Sequence, residues 1–241
     1  MKTFKMIPVV ILLLLSLQLH AQDRSYHFGL HCSPNLSWIK PDVEEVIYKS
    51  NGTMVGVSYG GIFENEFTPN VGIITGINVL HTGGHLKYPH ATTLEIGGVY
   101  TPDTGTLERK YTLQYIEIPL MIKGSTGDIL GNFSFYGRFG VGSGFNIKAR
   151  AHDEYLSDNS TTGEKISTAN QNAKKEVSFF RESLIIGIGA EYRLGKTATA
   201  LMGLTFSNGF TDILKSSSSV KPAIKEKARS NYVELNIAVM F

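Results

Sequence analysis

The chain ends with "NYVELNIAVMF" (Asn231–Phe241), in which apolar side chains alternate with polar or small ones. Every second position of this stretch is apolar: Val233, Leu235, Ile237, Val239 and Phe241. Glu234 and Asn236 lie between them. Because successive side chains of a strand point to opposite faces, this pattern predicts a strand with one apolar face that continues to the last residue.

The same alternation occurs near the start, in "YHFGLHCSPNLSW" (Tyr26–Trp38), where the even-numbered positions are apolar. Further stretches alternate in the same way near residues 55–63, 71–79, 111–122, 133–147, 184–194 and 198–206. Together these stretches predict eight strands. Between residues 111 and 122 the apolar positions change from odd to even, which predicts a bulge near Tyr115. In the stretch after Phe133, the polar face is predicted to include Arg138 and Lys148.

The connections between the predicted strands alternate in length. Short turns ("FTPN", "GSTGDILG" and "LGKT") follow the second, fourth and sixth strands, and longer polar stretches follow the others. The longest are Thr82–Arg109 and Arg150–Glu176, which are predicted as loops. Short turns at one end and long loops at the other are typical of outer-membrane barrels, and an even strand number places both termini on the periplasmic side.

A water-soluble barrel is the alternative, but its apolar face would point inward and its outer face would be polar. Here Arg, Glu, Lys and Asn occupy the second face of several strands, as in a narrow polar lumen. We therefore predict an all-β fold, an eight-stranded antiparallel up-and-down transmembrane β-barrel. Closure also accounts for the bare terminal Phe241, because the last strand then pairs with the first and leaves no edge.

The N-terminus has a different composition. Lys2 and Lys5 precede an apolar run, Met6–Leu15, and small and polar residues follow it up to Ala21. This order predicts a cleaved signal peptide over residues 1–21, with residues 22–241 forming the barrel domain. A membrane anchor is the alternative reading, but the run is shorter than the ~20 residues of a membrane helix.

Nothing in the sequence predicts an enzyme, a cofactor site or a metal site. The formal net charge is only +2, which gives no general case for binding nucleic acid. "AEYRLGKT" (Ala190–Thr197) resembles a phosphate-binding loop but connects two strands, whereas that mechanism needs a helix after the loop. His81, His85 and His90 lack a carboxylate or thiol at a supporting spacing.

Charged residues on the polar faces predict an ion network inside the barrel. Glu117 and Arg138 lie on neighbouring strands, with Glu117 as the predicted partner of Arg138. The same interior is predicted to contain Lys123, Arg181, Glu191, Arg193 and Glu234. An eight-stranded barrel is just wide enough for side chains to fill, so we interpret the network as structural, with a conducting path as the alternative.

Aromatic residues mark the ends of the apolar face. Tyr26 and Trp38 bracket the first strand, as the girdles of outer-membrane barrels do at the two interfaces. A C-terminal aromatic such as Phe241 resembles the signal that outer-membrane assembly machinery reads. The final loop, Ser216–Arg229, is rich in lysine and is a candidate docking segment.

Several stretches resemble the PorT-type family of outer-membrane β-barrel proteins: "SPNLSWIKPD", "TGGHLKY", "YIEIPLMIK", "YGRFGVGSGFNIKA", "GIGAEYRLG", "TFSNGFTDIL" and "NYVELNIAVMF". "YIEIPLMIK" (Tyr115–Lys123) is the most characteristic of them. The resemblance implies the outer membrane of a Gram-negative bacterium, with membrane lipid and other outer-membrane or periplasmic secretion proteins as partners. It also implies an accessory role in protein secretion of the type IX kind, which supports gliding motility in some bacteria. A small porin-like channel, and a surface-binding or adhesion barrel acting through its long loops, remain alternatives.

Overall fold

The computed structural model describes residues 26–41, 48–96, 98–129, 131–158, 165–195, 197–215 and 227–241. The predicted signal peptide and most of the predicted basic loop, residues 216–226, lie outside these ranges. Within them the structure contains no helix long and apolar enough to cross a membrane.

The described residues form ten strands. They are β1 (Tyr26–Pro41), β2 (Lys49–Ser50), β3 (Met54–Thr68), β4 (Val71–Ile96), β5 (Val99–Ser125), β6 (Phe133–Ser157), β7 (Lys165–Asn172), β8 (Phe180–Leu194), β9 (Ala198–Gly209) and β10 (Ala228–Met240). β2 is a short addition paired with β4, and β7 pairs with β6. The remaining eight strands are the wall of the molecule.

These eight strands form a closed antiparallel ring in the order β1, β3, β4, β5, β6, β8, β9, β10. β10 returns to β1, and at the seam the backbone N–H of Phe241 donates to the carbonyl of Phe28 at 2.7 Å. Every strand of the ring therefore has a hydrogen-bonded neighbour on both sides, as a lipid-embedded sheet requires. The predicted eight-stranded up-and-down transmembrane β-barrel is confirmed.

The outer wall carries an apolar belt. Leu30 of β1 and Ile188 of β8 are each 67% exposed on the isolated chain. The other ring strands also carry exposed apolar side chains. Tyr26 stacks on Phe63 at one border of the belt, with ring centroids 5.9 Å apart. Trp38, further along β1, stacks on Phe206 at 6.3 Å. Lipid covers this belt in the membrane.

The two ends of the barrel differ. At one end, the short-turn end, β3–β4, β5–β6 and β8–β9 are joined by short turns, as the sequence predicts. At the other, the long-strand end, the predicted loops Thr82–Arg109 and Arg150–Glu176 are wrong. β4 and β5 stay paired from Val71 opposite Gly124 to Ile96 opposite Val99, and β6 continues to Ser157. The wall made of β4, β5 and β6 therefore rises well beyond the apolar belt.

The predicted bulge near Tyr115 is present at the level of that residue, but it lies on the neighbouring strand β6 and not on β5. Gln114 pairs with Lys148, whereas Tyr115 pairs with Asn146, so Ile147 is the extra residue and it belongs to β6. The odd-numbered positions of β5 face the interior from Asp103 to Lys123. On β6 the interior positions change from even to odd at the bulge, so Lys148 points outward and its predicted interior place is wrong.

Candidate functional site

The lumen is the obvious place for a site, and its lower part is filled by ion pairs. Near the short-turn end, the Nζ of Lys123 lies 2.6 Å from a carboxylate oxygen of Glu64 and 2.5 Å from one of Glu191. Ser134 donates a hydrogen bond to the second oxygen of Glu191 at 3.3 Å. One buried lysine thus joins carboxylates from two different strands, β3 and β8, across the barrel.

A second ion pair closes the lumen further up. Arg181 is fully buried, and its Nη1 donates to Oε2 of Glu117 at 2.9 Å. Tyr232 donates its hydroxyl to the other oxygen of Glu117 at 3.1 Å. Gly144 of β6 lies in register with both Glu117 and Arg181, on its two sides. The acid of β5 and the base of β8 therefore lie at the same level, on the two sides of β6.

The prediction that Glu117 is the partner of Arg138 is wrong, and the strand register explains why. Arg138 lies opposite Lys123, while Glu117 lies opposite Gly144, six residues further along β6, which is roughly 20 Å of strand. Arg138 is buried and donates to the hydroxyl of Thr205 instead. A methyl group at Gly187 would lie 2.7 Å from its Nε, so this glycine makes room for the guanidinium.

Glu234 shares the middle of the lumen with Arg138. Its buried side chain lies beside Ser58 and Asn236. A cavity of about 30 Å³ lies among Glu117, Arg138 and Glu234. Such a volume holds one or two water molecules, so this level of the lumen has no room for a solute to pass.

Above this polar zone the interior becomes an apolar core. Tyr111, Leu113 and Tyr115 of β5 are fully buried there, and the core continues over further strands and loops. Ile213 and Leu214, from the segment after β9, complete it. A soluble-type core therefore caps the charged lumen on the side of the long-strand end.

The extension beyond the belt has its own polar contacts. Arg109 donates two hydrogen bonds to Asp153, both at 2.6 Å, and a third to Glu176 at 2.7 Å. Burial works against the charge of Arg109, but the hydrogen bonds to Asp153 raise its pKa overall. Tyr155 donates to Asp103 at 2.8 Å, and burial together with this bond raises the pKa of the phenol. These contacts join β5 to β6 within the extension.

The other residues singled out in the sequence lie in different places. The prediction that Arg193 lies in the lumen is wrong, because its side chain is 56% exposed and pairs with Asp128 at the short-turn end. In the segment Ala190–Thr197, the first five residues belong to β8, and β9 begins directly after it at Ala198. Among the described residues, no group of three or more His, Cys, Asp or Glu is placed to hold a metal ion.

Sequence reasoning missed Glu64, Thr205 and Tyr232 as lumen residues. Glu64 follows Phe63 in "GIFENEF", so the alternation of that strand could have placed it inside. Tyr232 precedes Val233 on the interior phase of β10, but a tyrosine there gives no signal that its hydroxyl will reach an acid on β5.

Solved structures similar to this chain are outer-membrane barrels. Neisserial surface protein A is 10% identical with a TM-score of 0.43, covering 91% of this chain and 98% of its own. The attachment invasion locus protein Ail of Yersinia pestis is 12% identical with a TM-score of 0.37, covering 89% and 98%. OprG from Pseudomonas aeruginosa is 11% identical with a TM-score of 0.42, covering 90% and 97%.

No curated protein matches the chain. A family model does: the outer membrane protein beta-barrel domain matches residues 20–235 of the 241. The match spans all eight strands of the ring except the last residues of β10. The chain therefore belongs to the outer membrane protein beta-barrel domain family, and its place is the outer membrane.

Proposed function

We propose that this protein is a non-conducting outer-membrane barrel that docks partner proteins and assists protein secretion. The observation that carries the proposal is that the lumen is filled while β4, β5 and β6 form an extension beyond the apolar belt. The lumen is closed by the Arg181–Glu117 pair and the apolar core above it. The working surface of such a barrel is then its outside, above all the long-strand end.

The proposal includes an orientation. Outer-membrane barrels have short turns in the periplasm and long segments outside the cell. We therefore assign the short-turn end, with both termini, to the periplasm, and the β4–β5–β6 extension to the cell exterior. Phe241 then lies on the side from which assembly machinery meets the barrel, which fits the terminal strand as its recognition element.

The process and the partners follow from the resemblance to the PorT-type family. That resemblance implies an accessory component of type IX-like secretion working with other outer-membrane or periplasmic proteins. The barrel itself cannot carry cargo, because eight strands enclose room only for side chains. Its role is binding, and the paired carboxylates of the lumen are structural.

The experiment compares secretion in a deletion strain restored with different variants. In the extension variant, residues 89–106 are replaced by Asn-Gly, so that Tyr88 and Leu107, which are register partners, flank a two-residue hairpin turn. The control variant changes the opposite end, replacing residues 195–197 by Asn-Gly. Both variants must show the faster gel mobility of a folded barrel.

We expect cargo to accumulate in the periplasm of the deletion strain and of the extension variant, while the wild type and the control restore export. Failure of the control alone would move the docking surface to the periplasmic turns. Normal export in the deletion strain would remove the secretion role.

A surface-binding or adhesion barrel is the second candidate, and one observation favours it. At the tip of the extension, Val99 and Tyr100 are 65% and 71% exposed, far from the apolar belt. Exposed apolar groups of this kind are typical of contact sites. Normal export combined with loss of cell-surface binding in the extension variant would support this candidate.

A further inference from the structure

The bulge on β6 creates a basic surface outside the barrel. Below it, Phe145 and Ile147 belong to the outer, apolar belt. The extra residue, Ile147, reverses the alternation, so Lys148 and Arg150 also point outward while Ala149 faces the core. Without the bulge, both cations would face the apolar core, where an unpaired charge is very costly.

A second bulge on β7 completes a pocket beside these two cations. Ala151 pairs with Gln171 and Asp153 with Thr168, so β7 carries one extra residue between these pairs. Asn170, in this bulge, has a positive φ of 59°. Its Oδ1 accepts a hydrogen bond from Nη1 of Arg150 at 3.4 Å, which orients the guanidinium.

The resulting pocket has a volume of about 300 Å³. It is lined by Ile147, Lys148, Ala149, Arg150, Asn170, Asn172 and Lys174. Lys148, Arg150 and Lys174 are its cations, and in the described part of the chain no carboxylate makes an ion pair with any of them. The lining of this pocket thus contains three cations and no carboxylate.

The pocket lies at the border of the apolar belt, and this position favours a lipid headgroup as the anion. Ile147, at the floor of the pocket, is the last residue of the belt on β6, and on β5 the belt ends at Ile116, with the polar Gln114 above it. Lipid headgroups lie at this level, directly above the hydrocarbon region. Basic side chains at this depth extend toward headgroup phosphates while their aliphatic stems stay on apolar surface.

We propose that the pocket of Lys148, Arg150 and Lys174 binds a phosphate group of a phosphorylated lipid in the surrounding leaflet. The two bulges supply outward cations at the border of the belt, and the amides of Asn170 and Asn172 supply additional polar groups. The site is independent of the secretion role, because it lies on the wall of the barrel and not on the tip of the extension.

Native mass spectrometry tests the proposal with the refolded full-length chain in non-ionic detergent micelles. The micelles are titrated with bisphosphorylated lipid A, with lipid A stripped of both phosphates, and with inorganic phosphate alone. The pocket variant is K148Q/R150Q/K174Q. The matched control, K49Q/K215Q/K227Q, removes three exposed lysines outside the pocket. Faster gel mobility shows that each variant is folded.

We expect saturable binding of phosphorylated lipid A that weakens about a hundredfold in the pocket variant, at about fivefold per cation. The control should bind as the wild type does, and dephosphorylated lipid A should bind weakly to all three proteins. Equal weakening in pocket variant and control, or equal binding of the two lipids, would overturn the proposal. Binding of inorganic phosphate as tight as that of lipid A would also overturn it, in favour of a soluble anion.

Discussion

The buried ion pair of Arg181 and Glu117 gives the sharpest prediction, because Arg181→Met should strongly destabilise the barrel. The substitution removes the bond to Glu117 at 2.9 Å, one to Ser207 at 3.0 Å and one to the carbonyl of Ser230 at 3.2 Å. Each of these bonds is donated by the charged guanidinium, and a hydrogen bond to a charged group contributes about 1.5–3 kcal/mol. Because such contributions are not additive within one network, we expect the loss of ~3–5 kcal/mol that is typical of breaking a buried ion pair.

The physical reason is the carboxylate that remains, not the contact that is lost. Glu117 would keep only the hydroxyl of Tyr232 in a closed lumen. If the acid is removed as well, in Arg181→Met/Glu117→Met, no unpaired charge is left. The double variant should therefore recover most of the free energy of unfolding, since apolar replacements of buried pairs are often neutral.

The assay is reversible urea unfolding in phospholipid vesicles, with all four proteins of the double-mutant cycle measured under the same conditions. Arg193→Met is the matched control, because Arg193 and Asp128 also lie 2.9 Å apart but are 56% and 37% exposed. Exposed pairs contribute about 0–1 kcal/mol. Equal losses for the buried and the exposed arginine, or a double variant as unstable as the sum of its singles, would refute the reasoning.

Three further predictions concern the lumen and the extension. In planar bilayers the protein should show no steady conductance, because the cavity in the middle of the lumen is only about 30 Å³ and the Arg181–Glu117 pair closes the lumen above it; reproducible large single-channel steps would favour the porin alternative. Gly187→Ala should cost about 1–3 kcal/mol in urea unfolding, because its methyl group would lie 2.7 Å from Nε of Arg138, whereas Gly137→Ala, with nothing within 4 Å, should be neutral. Burial and the nearby Lys110 lower the pKa of His85, so Lys110→Gln should raise that pKa in an NMR titration; an unchanged value would contradict the contact.

The strand count and the closure of the ring could be predicted because each rests on a local signal. Alternation identifies each strand, including the first and the last, and β1 and β10 pair to close the ring. The ion partners could not be predicted, because they depend on register and on strands far apart in sequence. Glu117 and Arg181 meet because both lie in register with Gly144, on the strands to either side of it. Nothing near Glu117 in the sequence indicates this register.

The length of the extension could not be predicted from the sequence either. Thr82–Arg109 reads as a polar loop because most of its exposed side chains are Lys, Thr and Pro. Outside a membrane, however, a strand with polar outward residues is ordinary, provided that its inner face is covered. Tyr88 and Leu107 provide that inner face, and both are buried in the apolar core.

The bulge was predicted on the wrong strand because the surroundings of the wall change from lipid to water at this level. A binary pattern reports the contrast between the two faces of a strand, and in a barrel that contrast inverts where lipid outside gives way to water. On β5 the apolar residues are at even positions within the belt and at odd positions beyond it, and the change falls at Tyr115 although the strand has no bulge. The reason is that, outside the belt, the outer face is polar and the inner face apolar. On β6 the apolar residues keep to odd positions through Ile147 and Ala149, although a bulge is present, because the bulge and the inversion cancel. An apparent phase change in a barrel strand thus marks the edge of the membrane, and an uninterrupted pattern that crosses this edge marks the bulge.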